Sequence, residues 1–262
     1  TLSGIIDEKT FRSTLAMIKL AEEDAFKRRH GELEVKVVVV RKEDRPRLVP
    51  VLVRILYGKL LNRKGRRHAQ QSLSIRRSTV MGFLSGLRPD ELVHLFDVLL
   101  EPYKQYILTM SSEPNDCATM TQEEICARSS ELLQLVPITR RTGVLKMMTD
   151  VVRQLATLVE PNLPNILRVQ LGIAQAALHD LQQPTSSDDP KYNSQRARIV
   201  ELRNLALKQI AAIFELFPSC DYSTFLAEFF VTVQPLVVVL PTEGMQAQHA
   251  TPVLQALLAI TS

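Results

Sequence analysis

Apolar residues recur at helical spacing through most of this chain, and no other feature limits its fold so strongly. Ile199, Leu202, Ala206, Ile210, Ile213 and Phe217 step by three or four residues, with Arg196, Arg203, Lys208 and Glu215 on the remaining faces. An α-helix turns once in about 3.6 residues, so this series lines one side of a helix and leaves the charges to water. The same rhythm runs through Val144, Met148, Val151, Leu155 and Leu158, through Leu92, Leu95, Phe96 and Leu99, and through Val80, Phe83, Leu84 and Leu87. Start signals agree with it. Pro89 is placed for a first helical turn, where a missing N–H does no harm, and Thr121 with Glu124 forms a capping box ahead of Ile125, Leu132 and Val136. The pattern predicts consecutive helices of roughly 15 to 22 residues.

Composition closes off the alternatives. Only 9 glycines occur in 262 residues, with 9 phenylalanines, 5 tyrosines and no tryptophan. That is too few turn-forming residues for sandwiches, propellers or nucleotide-binding α/β folds. The β-branched run Val37 to Val40 has the composition of a short strand but no partner strand or hairpin turn beside it. Thr109 to Met120 and Gln183 to Gln195, rich in Ser, Pro, Asn and Asp, read as loops inserted between helices.

A phrase of proline followed by an aliphatic row appears as LVPVLVRIL from Leu48, LPNILRVQL from Leu163, VQPLVVVL from Val233 and TPVLQALL from Thr251. Proline is tolerated early in a helix and bends it when deeper. Each phrase is followed, after a gap, by a more charged amphipathic helix. Such alternation fits stacked helical hairpins of the HEAT type, each burying apolar faces against its neighbours. The spacing is irregular, so the expected fold is all-α: an α-solenoid of degenerate HEAT-type hairpins with polar insertions. The expected organisation is a charged, mostly helical segment over residues 1–45 and an array over 46–262, with loops at about 62–71, 109–121 and 183–195.

The search for chemistry returns little. His30, His68, His94, His179 and His249 are scattered, none at ligand spacing from another His or from Cys, and read as surface histidines. Cys117, Cys126 and Cys220 form no close-spaced pair, and no Asn-x-Ser/Thr acceptor occurs, which fits a reducing intracellular compartment. Gly82 and Gly86 have the spacing that lets two helices approach closely. No phosphate loop or nucleophile motif is present. The expectation is a non-enzyme with no cofactor, no metal and no small-molecule substrate. The apolar stretch Phe229 to Thr242, interrupted by Gln234 and Pro235, falls short of the ~20 residues that span a bilayer, so no membrane is expected.

Charge is the exception to this blandness. The net charge of +4 hides a division: residues 1–88 carry 20 Lys and Arg against 9 Asp and Glu, and the remainder is net acidic. Between Asp44 and Asp90 no acid occurs, and the basic residues concentrate in NRKGRR from Asn62 and in Arg76 with Arg77. A solvated face accounts for many such runs. This one clusters at an inter-helix corner and is mostly arginine, which grips phosphate through paired donors. Arg63, Lys64, Arg66, Arg67, Arg76 and Arg77 are therefore the candidate RNA-binding residues. With only Tyr57 and Phe83 nearby to stack on bases, the contact would be directed at phosphate and largely sequence-neutral. An acidic protein tail and a nuclear-import receptor are the other readings of the same cluster.

These residues carry a resemblance. LVPVLVRILYGKLLNRKGRR, then a polar gap, then RRSTVMGFLSGLRPDELVHLFDVLL, within Leu48 to Leu100, resembles a segment of the U3 small nucleolar RNA-associated protein 20 family, also called down-regulated in metastasis. GVLKMMTDVVRQLATLVEPNLPNIL from Gly143 and RNLALKQIAAIFELFPSCDYSTFLAEFF from Arg203 are similar to later parts of it. Residues 1–40 and 241–262 contribute nothing to the likeness. The resemblance implies a non-catalytic HEAT-repeat scaffold of the small-subunit processome, in the nucleolus, that supports pre-ribosomal RNA processing and small-subunit assembly. Its implied partners are pre-ribosomal RNA or a small nucleolar ribonucleoprotein and other processome proteins. Family members are very large, so the chain is expected to be an internal piece of one. The six contact residues come from charge and not from the family. The rival expectation is a protein-only HEAT-type adaptor, such as a nuclear transport receptor that binds acidic or extended segments.

Overall fold

The computed structural model describes residues 50, 53, 84, 87–112, 120–183, 190–244 and 251–261. Among them all regular structure is helical. The run Val37 to Val40, the Gly82 and Gly86 pair, Cys117 and His30, His68 and His249 lie outside the described residues. The chain divides into two compact units, Thr1–Val98 and Leu99–Ser262.

In the first unit, α1 (Pro89–Leu99) opens on the expected proline. Leu92, Leu95, Phe96 and Leu99 are all buried, as their spacing predicts, and so are Val53, Leu84 and Leu87. Asp90 and Glu91 occupy the first turn, where negative charge suits the exposed N–H groups of a helix start. The Glu91 carboxylate reaches back to accept from the Arg88 backbone N–H at 2.9 Å.

The second unit contains a 3-10 turn, Glu101–Tyr103, followed by α2 (Lys104–Ser112), α3 (Gln122–Leu133) and α4 (Ile138–Leu155). After a second 3-10 segment, Ala156–Asn162, come α5 (Leu163–Gln182), α6 (Pro190–Leu216), α7 (Ser223–Gly244) and α8 (Pro252–Thr261). Packing links every second helix. α5 lies against α3 and α7, α6 lies against α4 and α8, and α5 packs broadly on α6. α2 and α4 also touch α5, so α5 has neighbours on all sides. Its residues from Val169 to Leu178 are buried without exception. Each fully buried aliphatic side chain contributes about 1.5–3 kcal/mol, which makes α5 the energetic centre of this unit.

Helix starts follow the sequence closely. Thr121 caps α3 as a complete capping box: its hydroxyl accepts from the Glu124 N–H, and Glu124 accepts from the Thr121 backbone N–H at 2.8 Å. These bonds hold the Glu124 carboxyl below the usual range. Pro164 and Pro252 sit in the first turns of α5 and α8. Pro235 lies deep inside α7, the second of the two placements open to a proline. Two features differ from the sequence expectation. The periodic series through Leu155 does not extend to Leu158, because α4 ends at Leu155 and the 3-10 segment leaves Leu158 only half-buried. At the end of α3 the buried residue is Leu133, with Leu132 half-buried, since the inward stripe rotates by one position. The helices also run into the polar stretches, α2 as far as Ser112 and α6 back to Pro190.

The turn FPSCDY between α6 and α7 shows what its residues are for. Proline cannot continue the hydrogen-bond ladder, and Pro218 follows the buried Phe217 directly after α6 ends. The Phe217 carbonyl accepts from the Cys220 N–H at 3.2 Å and from the Tyr222 hydroxyl at 2.7 Å, which pins the turn to the end of α6. Asp221 accepts from the Ser223 N–H at 2.9 Å, which starts α7 and lowers its carboxyl pKa. The Tyr222 ring meets Phe214 edge-on at 4.7 Å, and Phe225 and Phe229 of α7 complete the cluster at 6.0 Å from Phe214. Such ring pairs add about 0.5–1.5 kcal/mol each beyond their burial.

Candidate functional site

The six basic candidates, Arg63, Lys64, Arg66, Arg67, Arg76 and Arg77, lie outside the described residues. The described basic residue of the acid-free run is Arg88. Its guanidinium stands 3.3 Å from Glu91 and 3.6 Å from Asp90, so its charge is engaged at the start of its own helix.

The described polar groups that come together do so inside the second unit. Gln175 of α5 is fully buried, and each hydrogen-bonding direction of its amide is used. Its oxygen accepts from Ser129 of α3 at 2.6 Å and from the Tyr106 hydroxyl of α2 at 3.4 Å. Its nitrogen donates to Glu228 and to the Thr232 hydroxyl of α7, both at 2.9 Å. One amide therefore joins four helices. A hydrogen bond of this kind contributes about 1 kcal/mol net, whereas a buried polar group left unmatched costs about 1–3 kcal/mol. The node thus favours one relative placement of α2, α3, α5 and α7 over any slipped one. Gly172, one turn before Gln175, belongs to the same design: a Cβ there would collide with the Tyr106 ring.

Gln209 of α6 makes a second tie. Its nitrogen donates to the Leu145 carbonyl at 2.7 Å and to Thr149, and its oxygen accepts from Gln170 of α5 at 3.2 Å. Between α3 and α4, buried Arg141 donates to the carbonyls of Val136 and Leu133 and so closes the carboxyl end of α3. A cation there also complements the helix dipole. Burial pulls the Arg141 guanidinium below its ordinary value, opposed by Asp180.

Reactive groups are subdued in these surroundings. Burial, with Glu228 nearby, pushes the Cys126 thiol up to about 11 against the hydrogen bond from Gln122. A thiol this far from ionising near neutral pH is a poor nucleophile. Cys220 is shifted upward too, by burial and by Glu160. His179 pairs with Gln183 at 3.0 Å and lies 3.7 Å from Asp180. Among the described residues no group of three or more His, Cys, Asp or Glu side chains could hold a metal ion. No described helix is long and apolar enough to cross a membrane. Sequence reasoning did not single out Gln175, Gln209 or Gly172. The available signal was the run of small residues Gly172, Ala174, Ala176 and Ala177, which lets helices crowd α5 from every direction and converts a polar stripe into an internal one.

Among the described residues these features define an all-helical array whose helices are held in register by buried side-chain amides. Its lineage is specific. Residues 1–262 match the family described as U3 small nucleolar RNA-associated protein 20, N-terminal, and the chain belongs to that family. The U3 small nucleolar RNA-associated protein 20 of Schizosaccharomyces pombe is 28% identical over an alignment of 197 residues that covers 71% of this chain and 7% of that protein. The family resemblance read from the sequence is thereby shown.

Proposed function

We propose that the chain is one stretch of a long, non-catalytic α-solenoid of HEAT type that acts as a scaffold in ribosome biogenesis. Its place would be the nucleolar small-subunit processome, in support of pre-ribosomal RNA processing and small-subunit assembly. The observation that carries this reading is the family match along the whole chain, joined to a relative named for its association with U3 small nucleolar RNA. The alternate packing of α3, α5 and α7 on one side and α4, α6 and α8 on the other supports the solenoid, because stacked hairpins bring every second helix together. The proposed division is a charged segment over residues 1–45 and the array over 46–262. No observation favours the protein-only adaptor.

In this proposal Arg63, Lys64, Arg66, Arg67, Arg76 and Arg77 bind RNA phosphate, while Arg88 does not take part because Asp90 and Glu91 already neutralise it. The partners are pre-ribosomal RNA or a small nucleolar ribonucleoprotein, with other processome proteins. Two measurements test it. The parent protein should sediment with pre-ribosomal particles. Replacing Arg63, Lys64, Arg66 and Arg67 by Glu should weaken RNA binding at least roughly tenfold and flatten its salt dependence by about 0.7 log units per lost phosphate contact to single-stranded RNA. Unchanged affinity and slope would sink the RNA-contact assignment.

A further inference from the structure

Between Lys104 and Arg128 the sequence has no Lys or Arg and carries Glu113, Asp116, Glu123 and Glu124. Ser111 stands near the start of this acidic stretch, in the last turn of α2, with its side chain exposed. Acids follow it at the second and fifth positions, in Ser112, Glu113, Pro114, Asn115 and Asp116. A protein kinase with a basic substrate groove selects a hydroxyl in such company, because opposite charges draw substrate and groove together. The structure adds a partner for the product. Arg168 of α5 donates from Nη1 to the Ser111 hydroxyl oxygen at 2.6 Å. It is the only Lys or Arg on α5, and no carboxylate pairs with it among the described residues. Other arginines are committed more firmly: Arg88 to Asp90 and Glu91, Arg141 to the carbonyls that end α3, Arg196 to the Leu181 carbonyl. Arg168 meets a neutral hydroxyl, which occupies one of the five N–H donors of a guanidinium.

We propose that Ser111 is a phosphorylation site and that Arg168 receives the phosphate, so that the modification fastens α2 to α5. An acid-directed protein kinase carries out the transfer with ATP as donor. The Ser111 Oγ attacks the γ-phosphorus, an O–P bond forms, the bond to ADP breaks, and the hydroxyl proton passes to the base of the kinase. The product carries roughly two negative charges beside a guanidinium whose other donors the hydroxyl leaves unused, and forked arginine donors match phosphate oxygens. Two forces then compete. The carboxyl end of α2 disfavours negative charge through the helix dipole, and α2 is a helix of 9 residues. Arginine–phosphate bonds are roughly twice as strong as neutral ones, so the arginine wins and the phosphate orders the end of α2. α2 also carries Tyr106, a partner of Gln175, so the modification acts on a helix that the buried node already places. This regulation of the array does not depend on what the array binds.

The test uses the full-length parent. Purified from its own cells with phosphatase inhibitors, it should yield a peptide phosphorylated at Ser111, and phosphatase treatment should remove the added mass. With Ser111 replaced by genetically encoded phosphoserine, amide hydrogen exchange over residues 104–112 should slow about tenfold against the unmodified parent. In an Arg168→Met background the same replacement should bring no slowing. A Ser111 peptide recovered only unmodified, or phosphate confined to Ser112, overturns the site. Phosphoserine that speeds exchange, or slows it equally with Arg168→Met, overturns the role of Arg168.

Discussion

α5 and α7 pack against each other and make opposite use of their sequences. α7 is the more apolar, with no charge for most of its length, whereas α5 carries Gln170, Gln175, His179 and Asp180. Yet α5 is buried on all faces from Val169 to Leu178, and α7 leaves Phe230, Val237 and Val238 in solvent. The difference lies in the neighbours. α5 is surrounded by α2, α3, α4, α6 and α7, while α7 has α3, α5 and α8. Hydropathy states what a residue would gain from burial, and topology decides whether it is buried. Gln175 is held inside α5 by an amide matched in every direction, and apolar side chains remain outside on α7 because no described helix covers them.

Breaking the α5 side of this comparison should have the largest effect. Gln175→Leu removes the partner of Ser129, Glu228, Thr232 and Tyr106 together. The expected loss is about 4 kcal/mol of stability, from two or three stranded groups at about 1–3 kcal/mol each. Equilibrium denaturation followed by circular dichroism would measure it, and a loss below about 1 kcal/mol would show that the node does not hold the helices. The two faces of α7 can then be set against each other. Val233→Ala on the buried face should cost roughly 1–3 kcal/mol, and Val238→Ala on the bare face about 0.5 kcal/mol or less in this chain. Equal costs would remove the distinction between the faces.

A pH effect tests the buried surroundings of the α5 node. The Cys126 thiol, beside the Gln175 node, is raised from 9.0 to about 11 in the folded state. Below pH 9 both folded and unfolded chains keep this proton, so its contribution is fully present. Between pH 9 and 11 the unfolded chain ionises first, and stability falls as the pH rises through that range. The expected loss is about 1–2 kcal/mol by pH 11, seen as the difference between this chain and Cys126→Ala in alkaline denaturation curves. Parallel curves would mean that the thiol is not shielded.

What could be read from the sequence was local. The series from Ile199 to Phe217, the Thr121 and Glu124 box and the start at Pro89 each depend on residues within a turn or two, and each appears in the structure as its spacing implies. The end of α4 was not legible, because the apolar rhythm continues to Leu158 although the backbone tightens after Leu155. The polar node was not legible either. Gln175 finds Ser129 46 residues away and Thr232 57 residues away, and no short-range pattern announces such a meeting. The proposed RNA-contact residues are a third case. Their signal is charge segregation along the chain, which identifies an interaction class without fixing a geometry.

Pro235 lies deep inside α7 and has no N–H to give. It therefore withholds the donor that an ordinary residue would offer to the carbonyl of Val231, one turn earlier. The hydrogen-bond ladder of α7 is one rung short at this turn, which is where the helix bends most readily.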